Sequence, residues 1–472
     1  MSPPLIHDDF LLETDLARRL YHVHAAALPI VDYHSHVSAR DLAQDRTFGD
    51  MVELWLAPDQ YKHRALRALG VSENVITGDA SPREKFEQWA AAVPRTLGNP
   101  LFHWTALELK NYFGITTPLT LATAEEIWGQ CNATLRQPTH TARQLLARAN
   151  VETVCTSDRF LDPLDAHAAL ARSDYAVRVL PSLRADDVLV EGPEFASWAR
   201  QLGEATGTDV RELDGMLQAL GRRLDLVAAH GCRLSDHGID VFDYATTRHG
   251  EAAVLYARRL RGDALEPVAA ASLRSFLLVS LAREYARRRW TMQLHLGAQR
   301  QTSTRLRTIA GPAGGYATIG RPTDIARLCR FLDDLECVGQ LPRTILYTLN
   351  PVDNAAFATL TGSFTAEKAA GLVQFGPAWW FNDHALGIRA HLETIAHHGL
   401  LWNFIGMTTD SRSLLSMSRH EYFRRVLCDY FGEQAARGAF PADEALLADY
   451  VHRICYENAR AAFSDPASSP SP

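Results

Sequence analysis

The stretch Leu28-Pro29-Ile30-Val31-Asp32-Tyr33-His34-Ser35-His36 decides the reading of this chain, because an apolar run ends there in two histidines one residue apart. On a β-strand, residues two apart point to the same face, so His34 and His36 present two imidazoles side by side. That is half of the ligand set of a zinc-type site. The chain carries its own contrast. His22 and His24 have the same spacing but follow Asp15-Leu16-Ala17-Arg18-Arg19-Leu20-Tyr21, a stretch of helical periodicity. Side chains two apart on a helix diverge by roughly 200° about its axis, so that pair cannot chelate one ion.

Outward from the first strand, seven more short β-rich segments close on polar residues: 151–158, 178–186, 231–236, 291–297, 343–350, 372–380 and 404–410. Helical stretches such as 273–289 and 324–335 lie between most of them. Eight strands alternating with helices is the arithmetic of the α/β class, here a distorted (β/α)8 barrel of the TIM type. Residues 1–28 read as an N-terminal helical segment, 29–465 as the barrel, and 466–472 as a frayed low-complexity tail. The long interval 38–150 must hold a helical insertion after strand 1, in which Ser81-Pro82-Arg83-Glu84 marks a helix start. A second helical excursion spans 188–230.

With 472 residues, 47% of them hydrophobic and 22% charged, the chain has ample material for a core and reads as a soluble enzyme. A net charge of −7 argues against nucleic acid or an anionic membrane as partner. The seven cysteines form no CxxC pair and fit reduced thiols in a cytoplasmic protein. No basic and apolar leader and no membrane-spanning run is expected.

In a barrel the site lies at the carboxyl ends of the strands. The residues closing each run are His34 and His36, Asp158, Arg184 with Asp186, Asp236 with His237, His295 with Arg300, Asn350, Trp379 with Trp380, and Asp410 with Arg412. Two histidines and a carboxylate with a position left open form the ligand set of a catalytic divalent ion. For Asp158 and Asp186 the plainer reading, a helix N-cap, comes first. For Asp410, inside Thr408-Thr409-Asp410-Ser411-Arg412, a functional role is favoured. His295 is either a pocket member or a satisfied core histidine. Arg184, Arg300 and Arg412 would singly be surface ion-pair partners, but together they suit an anionic substrate, since a guanidinium matches a carboxylate bidentately. Trp379 and Trp380 read by default as core, with one of them able to wall the pocket. Walker, dinucleotide-binding and nucleophile-elbow motifs are missing, and a two-metal site would be short of ligands.

These motifs together resemble the uronate isomerase (glucuronate isomerase) family of the amidohydrolase superfamily, from about Phe10 to Phe463. The resemblance rests on Asp32-Tyr33-His34-Ser35-His36, Tyr61-Lys62-His63-Arg64-Ala65, Asn99-Pro100-Leu101-Phe102-His103-Trp104, Ser235-Asp236-His237, Thr344-Ile345-Leu346-Tyr347 with Asn350-Pro351, Trp379-Trp380-Phe381-Asn382-Asp383, and Thr409-Asp410-Ser411-Arg412-Ser413 continuing to Arg419-His420-Glu421-Tyr422. It implies interconversion of D-glucuronate with D-fructuronate and of D-galacturonate with D-tagaturonate. It also implies one divalent metal, zinc as a rule, on His34, His36 and Asp410. Tyr61, Arg184, Asp236, His295, Arg300, Trp380 and Arg412 would line the substrate site, with Asp410, Tyr61 and His295 the catalytic candidates. In the mechanism this suggests, Asp410 or a water at the metal moves the carbon-bound proton and Tyr61 hydrogen-bonds the developing oxyanion. Gln60 stands where the family often has histidine; its amide can hydrogen-bond the substrate but cannot exchange a proton near neutral pH. The expected partner is a small hexuronate, and a homo-oligomer is compatible with the sequence.

Two other classes compete. A mononuclear hydrolase of the same superfamily, a lactonase or deaminase, would use Asp410 to activate a water at the metal, and a catalytically silent sugar-acid binder has Gln60 as its only support. Product chemistry separates them, because isomerisation conserves mass and hydrolysis adds water.

Overall fold

Ile30, Val31 and Asp32 form β1 (Ile30–Asp32), buried along its whole length. The structure, a computed structural model, describes residues 5–189, 194–367 and 370–463. The tail expected at 466–472 lies outside them. Parallel to β1 runs β2 (Val151–Cys155), which continues after two residues as β3 (Asp158–Arg159). Next come β4 (Arg178–Leu180) and β5 (Ser182–Arg184), separated only by Pro181. Proline has no N–H to give to a ladder, so the strand breaks in name more than in direction. Thr156 N–H donates to the Leu180 carbonyl (3.0 Å) and Ser182 N–H to that of Thr156 (3.1 Å), stitching the two chains across the gap.

The remaining strands are β6 (Leu234–Gly238), β7 (Thr291–Leu296), the short antiparallel pair β8 (Ala298–Gln299) and β9 (Thr318–Ile319), β10 (Arg343–Thr348) and β11 (Val373–Phe375). One sheet has the order β1-β2-β4 and the other β11-β10-β7-β6-β5-β3, all parallel. Both are flanked by helices, the architecture of an α/β domain.

The eighth expected strand, 404–410, makes no ladder. Gly406 (φ +84°) and Asp410 (φ +46°) leave extended geometry, and side chains take over the pairing. Asp32 accepts from Thr409 N–H (3.1 Å) and from the hydroxyls of Thr408 and Thr409, while Thr408 Oγ1 accepts from His34 N–H (2.8 Å). Asp410 N–H donates to the His34 carbonyl (3.0 Å) and His36 N–H to that of Ser411 (2.9 Å). The segment therefore lies beside β1, held by the Asp32 carboxylate, the hydroxyls of Thr408, Thr409 and Tyr33, and two backbone hydrogen bonds.

Between β1 and β2 the chain forms helices including Gln60–Ala68, Pro82–Ala92, Pro100–Phe113 and Ala124–Leu135. Ser81 and Glu84 make the reciprocal cap at the start of the second of these. His22 and His24 lie on the helical turn Leu20–Ala25 and reach different carboxylates, Asp9 (2.8 Å) and Glu444 (3.3 Å). His34 and His36, expected on the strand, lie just past its end at Asp32 and instead meet a single carboxylate, that of Asp410. The seven cysteines are free thiols. No helix among the described residues is long and apolar enough to cross a membrane.

Candidate active site

His34 and His36, just past β1, turn their rings to one side, with centroids 5.4 Å apart. Their Nε2 atoms lie 3.2 and 2.9 Å from Oδ1 of Asp410. The sequence separates these groups widely, and the side-chain pairing of 404–410 with β1 brings them together. Burial pushes the Asp410 carboxyl up, but the hydrogen bonds and charges of the two histidines outweigh it and hold the group well below the ordinary carboxylate range. Burial also lowers His36, whereas in His34 the neighbouring Asp236 and Asp410 overcome burial and raise it. The donor atoms of His34, His36 and Asp410 all lie within 4.8 Å of one another. Two imidazoles and an ionised carboxylate so grouped fit a borderline divalent ion.

Oδ2 of Asp410 is occupied differently. It accepts the indole N–H of Trp379 and that of Trp380, each at 2.6 Å. One oxygen thus faces the histidines and the other is oriented by two neutral donors, as metal-binding carboxylates commonly are.

Behind His34, the ring of His295 lies 4.6 Å away and stacks at 4.2 Å on Tyr347. Its Nδ1 is 2.8 Å from Asp236, and its Nε2 is buried without a partner. Arg184 sits 3.2 Å from the other Asp236 oxygen. Burial raises Asp236, but Arg184, His34 and His295 together drive it well below its usual value. His34, Asp236 and His295 are also close enough to share an ion, yet the guanidinium already neutralises that carboxylate. His295 is therefore a buried residue behind His34 with one ring nitrogen unpartnered, a state that leaves both readings of it open.

A cavity of about 490 Å³ opens above these groups, lined by His36, Gln60, Arg159, Arg184, Asp186, Arg300, Trp380, Asp410 and Arg412 among others. Arg300 is held by Asp240 and lies 5.7 Å over the Trp380 ring, whereas Arg412 is exposed. Gln60 enters from the first turn of the helix Gln60–Ala68, whose start is fixed by Asp59 accepting from Tyr61 N–H (2.8 Å) and Lys62 N–H (3.1 Å). The Tyr61 ring stands 5.8 Å from Trp104 and beneath Arg419 at 5.7 Å, its hydroxyl buried without a partner. Burial raises its pKa, which Arg419 opposes and Asp410 reinforces. Tyr61 thus lies within electrostatic reach of Asp410, though it does not line the open cavity.

The far wall is a strap between β8 and β9, with Pro312, Ala313, Gly315 and Ala317 on the cavity. Arg64 donates to the Ala317 carbonyl (2.6 Å) and Arg67 to that of Gly314, tying the strap to the Gln60–Ala68 helix. An adjacent cavity of about 610 Å³ shares Asp186 and Arg300 but reaches none of the histidines.

Asp158 and Asp186 do not serve as the N-caps expected. Asp158 accepts from the Thr156 hydroxyl (2.6 Å), and Asp186 binds Arg184 Nε and Gly238 N–H, both at 2.8 Å. Sequence reading passed over Trp379 as a donor to Asp410, Tyr347 under His295, Asp240 on Arg300, and Arg419. Of these Trp379, Tyr347 and Arg419 carried a signal, since each falls within a family-like stretch, whereas Asp240 carried none.

A parallel α/β scaffold with a two-histidine, one-carboxylate cluster past its strand ends, beneath an arginine-lined cavity, defines an enzyme of the amidohydrolase superfamily. The glucuronate isomerase family model matches residues 2–463. A uronate isomerase of Vibrio vulnificus (strain YJ016) is 45% identical over 98% of this chain and 99% of its own length. The crystal structure of uronate isomerase from Thermotoga maritima superposes with a TM-score of 0.92 at 32% identity, covering 97% of this chain and 99% of that one. That of glucuronate isomerase from Caulobacter crescentus gives 0.91 at 26%, covering 99% and 100%. The chain belongs to the glucuronate isomerase family: it is a uronate isomerase, an intramolecular oxidoreductase acting on hexuronates.

Proposed function

We propose that this chain converts D-glucuronate to D-fructuronate and D-galacturonate to D-tagaturonate through an enediolate, with one zinc ion held by His34, His36 and Asp410. The observation that carries the reading is the joining of that cluster to an arginine-lined cavity large enough for a six-carbon acid. When bound, the metal supplies Lewis-acid polarisation of the substrate's oxygens. Arg184, Arg300 and Arg412 take the distal carboxylate, Trp380 walls the carbon chain, and Gln60 hydrogen-bonds a hydroxyl. Tyr61 donates to the oxyanion that develops as the C2 proton leaves. Asp410 and His295 carry that proton from C2 to C1 in this reading. His295 offers a ring nitrogen with no other partner, its second nitrogen anchored by Asp236.

The scaffold is read as a distorted (β/α)8 barrel. Closure is supported by 404–410 lying on β1 and by Trp379, past β11, donating to Asp410. Residues 38–150 form its insertion. Free thiols and the absence of a membrane-crossing helix among the described residues support a cytoplasmic place of work. The test is incubation of zinc-loaded protein with each uronate, followed by NMR. Ketose of unchanged mass is expected; no ketose from either, or a product heavier by one water, overturns the reading.

A further inference from the structure

Arg419 is a buried charge that the proposed chemistry does not use. Its side chain is 3% exposed, and that of its partner Asp383 is 1% exposed. Nε donates to Asp383 Oδ2 at 2.8 Å, Nη2 donates to the same oxygen, and Nη1 donates to the Thr409 carbonyl at 2.7 Å. The guanidinium also lies 4.5 Å over the Trp104 ring. Burying an ion pair is costly and contributes little stability by itself, so its placement calls for another account.

The account lies in the backbone on either side. Trp380 and Asp410 are both in the left-handed region, at φ +45° and +46°, where a residue with a side chain is strained unless its surroundings hold it. Each is next to a group that the pair grips. Thr409, whose carbonyl Arg419 binds, precedes Asp410. Asp383 closes the turn Trp380–Asn382, its own N–H donating to the Trp380 carbonyl at 3.1 Å. The two strained residues in turn meet through the Trp380 indole on Asp410 Oδ2. Arg419 thus closes a ring from helix Ser418–Ala436 through Asp383, Trp380, Asp410 and Thr409 back to itself.

We infer that Arg419 and Asp383 are positioning residues: their ion pair holds the strained turns at Trp380 and Asp410, and so fixes the direction in which the Asp410 carboxylate faces His34 and His36. The same guanidinium, stacked on Trp104 and over Tyr61, docks the inserted helices onto that turn. This rests on the proposed reading of His34, His36 and Asp410 as ligands.

The test uses full-length Arg419→Lys, which keeps the charge but cannot span Asp383 and the Thr409 carbonyl together, and the double variant Arg419→Met with Asp383→Leu, which removes both charges and leaves no unpaired ion. Each is loaded with cobalt(II) and compared with the parent by d–d absorption, thermal unfolding, and kcat and KM on the uronate the parent turns over. Both variants are expected to fold, with kcat at least 10-fold lower, KM changed less than 3-fold, and an altered cobalt spectrum. A folded variant with the parent's kcat and spectrum overturns the inference, reducing the pair to fold support. A parent that binds no cobalt overturns the ligand reading beneath it, and the inference with it.

Discussion

Asp410 divides its two oxygens between different tasks, and each task is open to a separate test. Trp379→Phe and Trp380→Phe keep the ring and remove one donor to Oδ2. A hydrogen bond to a charged group contributes about 1.5–3 kcal/mol, so each change should lower kcat or metal affinity about 10- to 100-fold. Trp380→Phe should raise KM as well, because only Trp380 lines the 490 Å³ cavity; steady-state kinetics and metal content after dialysis check both. The histidine pair was legible from its spacing after an apolar run, although β1 ends at Asp32 and the two rings meet just past it. Trp379 was not, since an indole in an apolar run has a single polar atom and reads as core. Away from the site, His391 is 4% exposed, packs 4.3 Å from the Phe375 ring, and has its pKa lowered to about 4 by burial. In the unfolded chain it titrates near 6.5. The unfolded state therefore binds the extra proton first, and the folding stability present above pH 6.5 is lost as pH falls toward 4. The full effect is about 3 kcal/mol. His391→Phe should flatten that decline, measured as urea midpoints at pH 7 and pH 5.

Among elements, seven of the eight expected strands form ladders and 404–410 does not. Its apolar run closing on polar residues was readable; the substitution of Asp32, Thr408 and Thr409 for ladder partners was not, because it depends on residues far apart in sequence. The strap between β8 and β9 was equally hidden. Gly311-Pro312-Ala313-Gly314-Gly315 carries no periodicity, and only the fold shows it walling the cavity. Gly315 has φ +80°, and a Cβ there would run into the Gln60 carbonyl. Gly315→Ala should push the strap off the Gln60–Ala68 helix and raise KM about 10-fold or more with the unfolding temperature nearly unchanged. A parent-like KM would detach the strap from substrate binding.

At the scale of the molecule, a metal on His34, His36 and Asp410 would cross-link β1 to the 404–410 segment, near opposite ends of the chain. An ion that binds only the folded form at about 1,000 times its dissociation constant stabilises by about 4 kcal/mol. Removing it with a chelator should lower the unfolding temperature and abolish turnover, and restoring zinc should recover both; calorimetry with a parallel assay measures this. The helical interval 38–150 was legible from its length and its Ser81 cap. The family resemblance pointed to Gln60 and Tyr61 within it, but that Gln60 lines the cavity while Tyr61 lies under Arg419 was not legible, since docking of helices onto a sheet is set by packing rather than by local pattern.

The hydrogen bond from His34 N–H to Thr408 spans 374 residues. A ribosome adding about 5–20 residues per second takes tens of seconds to cover that distance. During that interval His34 and His36 have been made and Asp410 has not, so the cluster, and any metal site that needs all three groups, is completed only once residue 410 has been added.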